Sequence, residues 1–270
     1  MNVDAKAARE LLAFYIDAGA DAVLGEEPID RLADQPPPPS PPAPVVRPQS
    51  PPPSRNDAER TSFQAAAPPS AEAAAMAARE AAKSAATLEE LRGLLESFEG
   101  CALRSTATQL VFADGNPQGR VMFVGEAPGH DEDVIGRPFV GRSGKLLDLM
   151  MAAIGLDRTN SYIANVIPWR PPGNRTPTPQ ETAICLPFIR RQIELADPEL
   201  LICLGGPSLQ TLIGVRDGIT RARGRWFPYD TGKRQIRALA TFHPAFLLRS
   251  PLQKRLAWRD FLAIKKALAG

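Results

Sequence analysis

The chain has 270 residues, of which 44% are hydrophobic, 23% charged and 6% aromatic, and its formal net charge is +2. It contains no apolar run of the roughly eighteen residues that a membrane helix needs, no signal-peptide pattern at its start, and only three cysteines. These features exclude a membrane protein and a disulfide scaffold, and the odd cysteine count without a secretion signal predicts a reducing, cytoplasmic location.

The two parts of the chain differ in charge. Residues 1–100 hold 9 Lys and Arg against 16 Asp and Glu, whereas residues 101–270 hold 23 against 14. A basic folded region is typical of proteins that bind polyanions, because each neutralised phosphate releases counterions. Since many compact domains are mildly basic, the charge favours a nucleic-acid partner without establishing one.

The first predicted region, residues 1–32, is an N-terminal helical segment. Apolar residues recur at helical spacing between Asp4 and Ala18, and Gly19 follows as a helix stop. Two interpretations stay open: a short helix that packs on its own domain, or a tethered helix in residues 1–30 that recruits a protein partner.

The second predicted region, residues 33–86, is a linker rich in proline and alanine. Thirteen of the 28 prolines fall between Pro36 and Pro69, and such a stretch favours extended polyproline II and cannot bury a core. We expect residues 33–70 to be disordered and semi-stiff. The alanine-rich end of the linker has high helix propensity but little apolar surface to bury.

The third predicted region, residues 87–270, opens with a capping box of Thr87 and Glu90, and the helix that follows ends at Gly100. Short apolar runs then alternate with helical patterns. The predicted strands are 120–125, 161–167, 200–205 and 237–242, and the predicted helices are 142–154, 179–195, 206–213 and 251–268. This alternation predicts a three-layer α/β/α sandwich around a short, mainly parallel four-stranded sheet.

Ligands of such sheets bind beyond the carboxyl ends of the strands. The first predicted strand leads into GEAPG and then into GRSGK, which opens a helix with the amides, hydroxyl and cations of Arg142, Ser143 and Lys145. Because Lys145 is followed by Leu146, the motif for binding a nucleoside triphosphate is incomplete. The segment therefore predicts a cradle for a phosphodiester.

Asn165 ends the second strand, and an asparagine there can read the edge of a flat amide-like ligand or can be a satisfied core residue. The proline-rich loop after it is cationic. Ser208 follows a Gly-Gly-Pro turn after the third strand, where a helix begins. His243, one of only two histidines, ends the fourth strand opposite the glycine loop, which favours a functional role.

Four motifs in this order resemble the uracil-DNA glycosylase superfamily, in particular its family 4, or thermophile-type, branch. They are GEAPG, PFVGRSGKLLD, NVIPWRPPGNRTPTP and HPAFLLR, and the resemblance spans residues 101–268. It implies that residues 87–270 form a catalytic domain acting on DNA that contains uracil. The reaction hydrolyses the bond between uracil and deoxyribose after the base has left the stack, and it leaves an abasic site.

The resemblance implies roles for individual residues. Phe139 stacks on the flipped base, Asn165 reads the uracil edge, and His243 donates a hydrogen bond to the charge that develops near uracil O2. Glu126 positions water or stabilises the sugar cation. Ala127, which we place with the uracil-binding residues, stands where a better-known branch has an aspartate, so the group that activates water stays open.

Further roles also come from the resemblance. Glu132 matches a position that screens out the thymine methyl group, and Asn174 matches a position implicated in activity. The segment Leu247 to Arg249 is expected to grip phosphates and to wedge the gap left by the base. The predicted DNA-binding residues are Arg142, Ser143, Lys145, Arg175, Ser208, Leu247 and Arg249.

Members of this family carry a four-iron, four-sulfur cluster on four cysteines, and this chain departs from that pattern. The four positions are occupied by Phe98, Cys101, Trp169 and Cys185, while Cys203 lies in an apolar strand as a small core residue. Two thiolates cannot supply the four ligands of such a cluster. We therefore expect no cofactor, and an apolar plug in which Phe98 and Trp169 lie near the two cysteines.

Two alternatives to an active glycosylase are a non-catalytic DNA-binding module recruited through the N-terminal helix, and a related branch that traps itself covalently on the abasic sugar. The second alternative requires a basic insertion, which is missing between Val134 and Arg137. We expect a monomer. The sequence leaves open whether single- or double-stranded DNA is preferred and whether other deaminated bases are processed.

Overall fold

The computed structural model describes residues 71–269 and contains one six-stranded sheet. The strands are β1 (Asp114–Gly115), β2 (Val121–Gly125), β3 (Ser161–Asn165), β4 (Leu200–Leu204), β5 (Trp226–Asp230) and β6 (Gln235–Thr241), in the order β1-β3-β2-β4-β6-β5. The helix predicted for residues 4–18 and the disordered stretch predicted for residues 33–70 lie outside the described part of the chain.

The four predicted strands are the four central, parallel ones. Their neighbours at the two edges, β1 and β5, run antiparallel. The sheet therefore has two strands more than the four predicted. Each edge strand lacks the pattern that predicts a strand. The first has two residues, and the second contains Pro228, which an edge position tolerates because not every backbone N–H there is needed for pairing.

Ten α-helices and two short 3₁₀ turns, Pro172–Asn174 and Pro251–Gln253, surround the sheet in the described residues. The helices are α1 (Ala71–Ser84), α2 (Leu88–Ser97), α3 (Leu103–Thr106), α4 (His130–Ile135), α5 (Arg142–Ala152), α6 (Pro179–Ala196), α7 (Gly206–Ile213), α8 (Ile219–Ala222), α9 (Pro244–Arg249) and α10 (Lys254–Leu268). The predicted helix at 251–268 is therefore a 3₁₀ turn followed by α10.

Alternate side chains of the central strands enter two separate cores, which confirms the three-layer α/β/α sandwich. Met122 and Val124 of β2 join a cluster with α1, α2 and α6, whereas Val121 and Phe123 join a cluster with α5 and α10. This alternation follows from the two-residue period of a strand covered on both faces. In residues 71–269, none of the helices is long and apolar enough to cross a membrane.

The alanine-rich helix α1 buries more than its sequence indicated. Ala74, Ala78 and Ala82 are at most 3% exposed, and α1 packs against α6. Small side chains at this four-residue spacing form one stripe along the helix. The capping box ahead of α2 is present: the Thr87 hydroxyl accepts a hydrogen bond from the Glu90 amide, 3.1 Å away. The division of the chain at residues 32 and 86 remains a prediction.

Candidate active site

A cavity of about 560 Å³ lies at the carboxyl ends of the parallel strands. Loops after β2, β3, β4 and β6 contribute to its wall, as the topology predicts. Ten of the fourteen residues predicted for the site line it, namely Glu126, Ala127, Glu132, Phe139, Ser143, Asn165, Asn174, Arg175, His243 and Arg249. Arg142, Lys145, Ser208 and Leu247 do not.

Asn165 brings an unsatisfied acceptor to this cavity. The residue is 4% exposed, and its Oδ1 is the one fully buried side-chain nitrogen or oxygen in the described residues that lacks a hydrogen-bond partner. A buried acceptor left unpaired costs about 1–3 kcal/mol. Oδ1 thus lacks the partner that a satisfied core asparagine would have, and the role of Asn165 in reading a ligand stays a prediction.

Gly125 makes room for this amide and for the ring of Phe139. It pairs in register with Asn165, and a Cβ at Gly125 would lie 2.4 Å from Asn165 Oδ1 and 2.6 Å from Phe139 Cζ. Any side chain here would collide with both groups. The glycine that opens the GEAPG motif therefore brings the amide and the ring side by side on the floor of the cavity.

Phe139 is held in a backbone conformation that is rare for a large side chain, with φ at +56°. Its ring centroid lies 5.4 Å from that of His243, with the planes tilted by 32°. A Cβ at Gly144 would lie 1.7 Å from the Phe139 carbonyl oxygen. The second glycine of GRSGK is thus required for α5 to pack against the Phe139 loop, in addition to any part that this segment has in binding phosphate.

His243 is the residue before α9, and its Nδ1 accepts a hydrogen bond from the Ala245 amide at 3.1 Å. In the neutral ring the proton is therefore on Nε2. Burial, and secondarily the charge of Arg249, lowers the pKa of His243 to about 4. At neutral pH the side chain is an uncharged Nε2–H donor next to the Phe139 ring.

Glu126 and Glu132 belong to the same loop but differ in surroundings. Burial raises the pKa of the half-buried Glu126 carboxyl above its ordinary value. The Glu132 carboxylate instead accepts hydrogen bonds from the backbone amides of Gly129, at 3.1 Å, and of Val140 and Gly141, at 2.9 Å each. Glu132 therefore connects the GEAPG loop to the loop that carries Phe139.

The proline-rich loop presents Asn174 at the rim of the cavity, where Asn174 is exposed and has a φ of +55°. Its Oδ1 accepts a hydrogen bond of 2.7 Å from Arg170 Nε. The next residue, Arg175, forms a two-pronged ion pair with Glu181, at 2.6 and 2.9 Å, which lowers the pKa of Glu181 to about 2. Arg175 lines the cavity, but its guanidinium is already engaged by a carboxylate.

Two predicted DNA contacts are wrong in their placement. Ser208 is fully buried and donates to the Val124 carbonyl oxygen at 2.7 Å, so it joins α7 to β2. Leu247 is also fully buried, in a small core that includes Phe242, so it cannot be a surface wedge. The next side chain along, Leu248, is 37% exposed and is the better candidate.

The remaining predicted DNA contacts are accessible. Arg142 and Lys145 are exposed on the first turns of α5, Arg249 is exposed at the end of α9, and Ser143 is half-buried at the cavity wall.

Two arginines that support the site were not singled out from the sequence. Arg170 binds Asn174, and Arg158 binds the loop of Phe139. Residues 157–160, just before β3, have the composition of a turn, so the sequence gives no reason to single out Arg158.

The four positions where the resemblance implies cluster cysteines belong to one hydrophobic core. Cys101, Trp169 and Cys185 are at most 2% exposed and share a hydrophobic cluster against which Phe98 packs. The Cys101 and Cys185 sulfurs are 3.9 Å apart, and the Phe98 ring meets that of Phe188 edge-on at 5.1 Å. Two thiols and two aromatic side chains do not match a group that needs four thiolate ligands. Cys203 is fully buried in β4, and burial raises the pKa of its thiol to about 12.

Comparison with known proteins places these features in a family. The family model described as the uracil DNA glycosylase superfamily matches residues 112–262. A protein named type-4 uracil-DNA glycosylase from Archaeoglobus fulgidus is 38% identical over 182 residues, which cover 66% of this chain and 92% of that protein. A protein of the same name from Thermotoga maritima is 44% identical over 169 residues, covering 61% and 86%.

Proposed function

This chain belongs to the uracil DNA glycosylase superfamily, and we propose that it excises uracil from DNA by the hydrolysis that its type-4 relatives are named for. The enzyme is a hydrolase of N-glycosyl bonds. It takes a flipped deoxyuridine into the cavity and leaves an abasic site, the first step of base excision repair.

The observation that carries the proposal is the unpaired Oδ1 of Asn165 beside the ring of Phe139. Uracil presents an N3–H donor next to its O4 acceptor, whereas the corresponding nitrogen of cytosine has no proton. A buried acceptor therefore gains a partner from uracil and faces a second acceptor with cytosine. Sites that use a buried polar group in this way can reject the wrong ligand strongly.

His243 supplies the group that acts on the leaving base. As the glycosidic bond breaks, negative charge develops near uracil O2, and a donor fixed at that point stabilises the transition state more than the ground state. The Ala245 amide orients the ring so that Nε2–H is the available donor. Because the ring is neutral, it stabilises this charge by a hydrogen bond alone.

Glu126 is the carboxylate available on the sugar side of the reaction. Its raised pKa makes it a better proton acceptor than an ordinary carboxylate, which suits a group that positions and activates water. Arg249 lines the cavity, and Arg142 and Lys145 are exposed on the first turns of α5, on either side of the cavity-lining Ser143. These three cations would bind the phosphates next to the flipped nucleotide. Asn174 completes the rim of the site.

The test is incubation of the full chain with end-labelled oligonucleotides that contain one uracil, followed by alkali, which cleaves at abasic sites. U:G, U:A and single-stranded substrates are compared, with thymine and cytosine in the same position as controls. We expect cleavage at uracil only. Binding of the uracil strand without cleavage would instead favour a non-catalytic module.

We further propose that the four-iron, four-sulfur cluster is replaced by the packing of Phe98 and Trp169 around the two buried thiols. The support is chemical, since only Cys101 and Cys185 offer sulfur at the four positions. The purified protein is then expected to be colourless and to contain no stoichiometric iron. A brown protein with about four irons per chain would overturn this part of the proposal.

The proposal also assigns a reducing cytoplasm, a monomeric state, recruitment of a protein partner by residues 1–30, and the three-region division of the chain. The odd number of cysteines supports the reducing compartment, the proline-rich composition of residues 33–70 supports the division of the chain, and the helical spacing of apolar residues between Asp4 and Ala18 supports the recruiting segment. Light scattering on the eluted protein tests the monomer. A pull-down with the first 30 residues tests the partner.

A further inference from the structure

The backbone of Phe139 requires an explanation that the cavity itself does not supply. In residues 71–269, only three residues other than glycine have a positive φ: Phe139, Asn174 and Asp197. Asparagine and aspartate adopt this conformation readily, but a bulky aromatic residue does so only where its surroundings hold it there. The residue proposed to stack on uracil is therefore kept in place by other groups.

Arg158 is the group that contacts this strained segment most directly. Its Nη2 donates to the Phe139 carbonyl oxygen at 2.5 Å, and its Nη1 donates to the Pro138 carbonyl oxygen at 3.1 Å. Two successive carbonyl groups are thus bound by one planar guanidinium. The fixed geometry of that fork sets the orientation of both peptide groups, and with it the direction in which the Phe139 ring points.

Two carboxylates from different elements fix Arg158 in turn. Asp114 of β1 lies 2.6 Å from its Nη1, and Asp148 of α5 lies 2.9 Å from its Nε. All three guanidinium nitrogens are therefore engaged, and the side chain is only 24% exposed. The short edge strand β1, which sequence patterns missed, is the element that brings Asp114 to this position.

We propose that Arg158 is a positioning residue that pre-organises the Phe139 ring beside Asn165 and His243 for stacking on a flat base. Arg158 does not line the cavity, so it acts through Phe139 and not by touching the substrate. This inference rests on the proposed function for its kinetic consequence. Its structural part, the control of the Phe139 conformation, does not depend on which reaction the site performs.

The first experiment reads the ring directly. 4-Fluorophenylalanine is incorporated at position 139 of the full chain, and the fluorine resonance is recorded in the parent protein, Arg158→Ala and Arg158→Lys. We expect one narrow resonance in the parent, and a broadened or displaced one in both variants. An unchanged resonance in a folded Arg158→Ala protein would overturn the inference, whether or not the protein excises uracil.

Arg120→Ala is the matched control. Arg120 also forms a two-pronged pair with a carboxylate, that of Glu199 at 2.8 and 2.7 Å, and it also donates to a backbone carbonyl, that of Leu268. It precedes β2, at the end of the strand opposite to the cavity. Arg120→Ala thus removes one positive charge and its contacts with carboxylate and backbone oxygens, as Arg158→Ala does. The fluorine resonance and the reaction rate of this control are expected to match those of the parent.

The second experiment separates positioning from folding by kinetics. With bond cleavage measured in a single turnover, with enzyme in saturating excess over uracil-containing DNA, Arg158→Ala is expected to be about a hundredfold slower, since small misplacements of a reacting group have effects of this size. Arg158→Lys retains the charge without the fork and should be intermediate. Millimolar guanidinium ion should partly restore Arg158→Ala, whereas sodium chloride at the same ionic strength should not.

A double-mutant cycle links the effect to the ring. Once Phe139→Ala has removed the ring, adding Arg158→Ala should slow the reaction by less than about threefold, because the two residues act as one unit. Full multiplication of the two effects would show that Arg158 acts elsewhere.

If Arg158→Ala fails to fold, Asp148→Asn is the second variant. It removes one partner of the guanidinium and leaves the arginine, so it should show the same effects in weaker form. A parent protein without glycosylase activity would refute the proposed function, while the fluorine spectra would still decide this inference.

Discussion

Asn165→Asp is the substitution that most directly tests how the cavity recognises its base. It changes one NH₂ group to an oxygen and leaves the volume of the side chain nearly unchanged. The Oδ1 acceptor proposed to face uracil N3–H is retained, but the donor expected at uracil O4 becomes a second acceptor. Recognition therefore changes at a single atom, and the packing with Gly125 and Phe139 stays as it is.

The size of the effect follows from the burial of the site. Asn165 is 4% exposed, so water cannot replace the missing donor, and a buried mismatch between two acceptors typically costs about 2–4 kcal/mol at the transition state. Since about 1.4 kcal/mol corresponds to a factor of ten, the rate on uracil should fall about thirtyfold to a thousandfold.

The same burial predicts an unusual pH dependence for the variant. A carboxyl group in this position loses hydration, which raises its pKa above the ordinary value for aspartate. Its protonated form carries an O–H that can replace the lost donor, so the relative rate of Asn165→Asp should rise as the pH falls from 8 towards 5. The parent should show no such rise, because an amide does not titrate.

The assay is a single-turnover time course with alkali cleavage, using parent, Asn165→Asp and Asn160→Asp. Asn160 is exposed in the turn just before the same strand, away from the cavity, and makes the control for an added negative charge. Unchanged turnover of Asn165→Asp on uracil would remove this residue from the site. A slowed rate with a flat pH profile would mean that the carboxyl group does not face the base.

Four further results are expected. His243→Ala should lower the single-turnover rate a hundredfold or more with little change in DNA affinity, and the rate of the parent should show no titration near pH 6.5, because burial holds the pKa of His243 near 4. Leu247→Ala should lower the free energy of unfolding by about 2–5 kcal/mol, whereas Leu248→Ala should leave stability nearly unchanged and weaken excision from duplex DNA; the reverse would restore the original assignment of the wedge. Trp169→Ala should lower the free energy of unfolding in urea by about 3–5 kcal/mol, and a loss below 1 kcal/mol would show that the ring is not part of a core. Deletion of residues 1–70 should leave activity intact and strengthen DNA binding at low salt, since this segment is acidic; an inactive truncation would contradict it.

The central part of the fold was predictable because its strands are continuous apolar runs buried on both faces. The same rule located the ends of those strands, and with them Glu126, Asn165 and His243. The edge strands could not be found in this way. Two residues of β1 provide no period, and a strand interrupted by proline resembles a loop until its partner strand is known.

The errors in the site have separate physical causes. Helix α9 has six residues, too few for a periodic pattern to show which side chain faces the core, so Leu247 and Leu248 could not be distinguished by sequence. Arg158 was missed because its importance comes from Asp114 and Asp148, which are distant along the chain. Hydrogen bonds of this kind depend on tertiary contacts and leave no local signal.

The plug proposed for Phe98, Cys101, Trp169 and Cys185 lies at the root of the loop that carries Asn174. Trp169 is buried immediately before this loop, and its other end is tied to α6 by the pair of Arg175 with Glu181. Asn165 and His243 belong instead to the strand ends, which the sheet holds independently of the plug. Loosening the plug should therefore increase amide exchange in residues 170–177 and raise KM more than it lowers the rate of bond cleavage. If the packing of Phe98 and Trp169 replaces the cluster as proposed, it needs only to anchor this loop, because the chemistry proposed for this site involves no electron transfer.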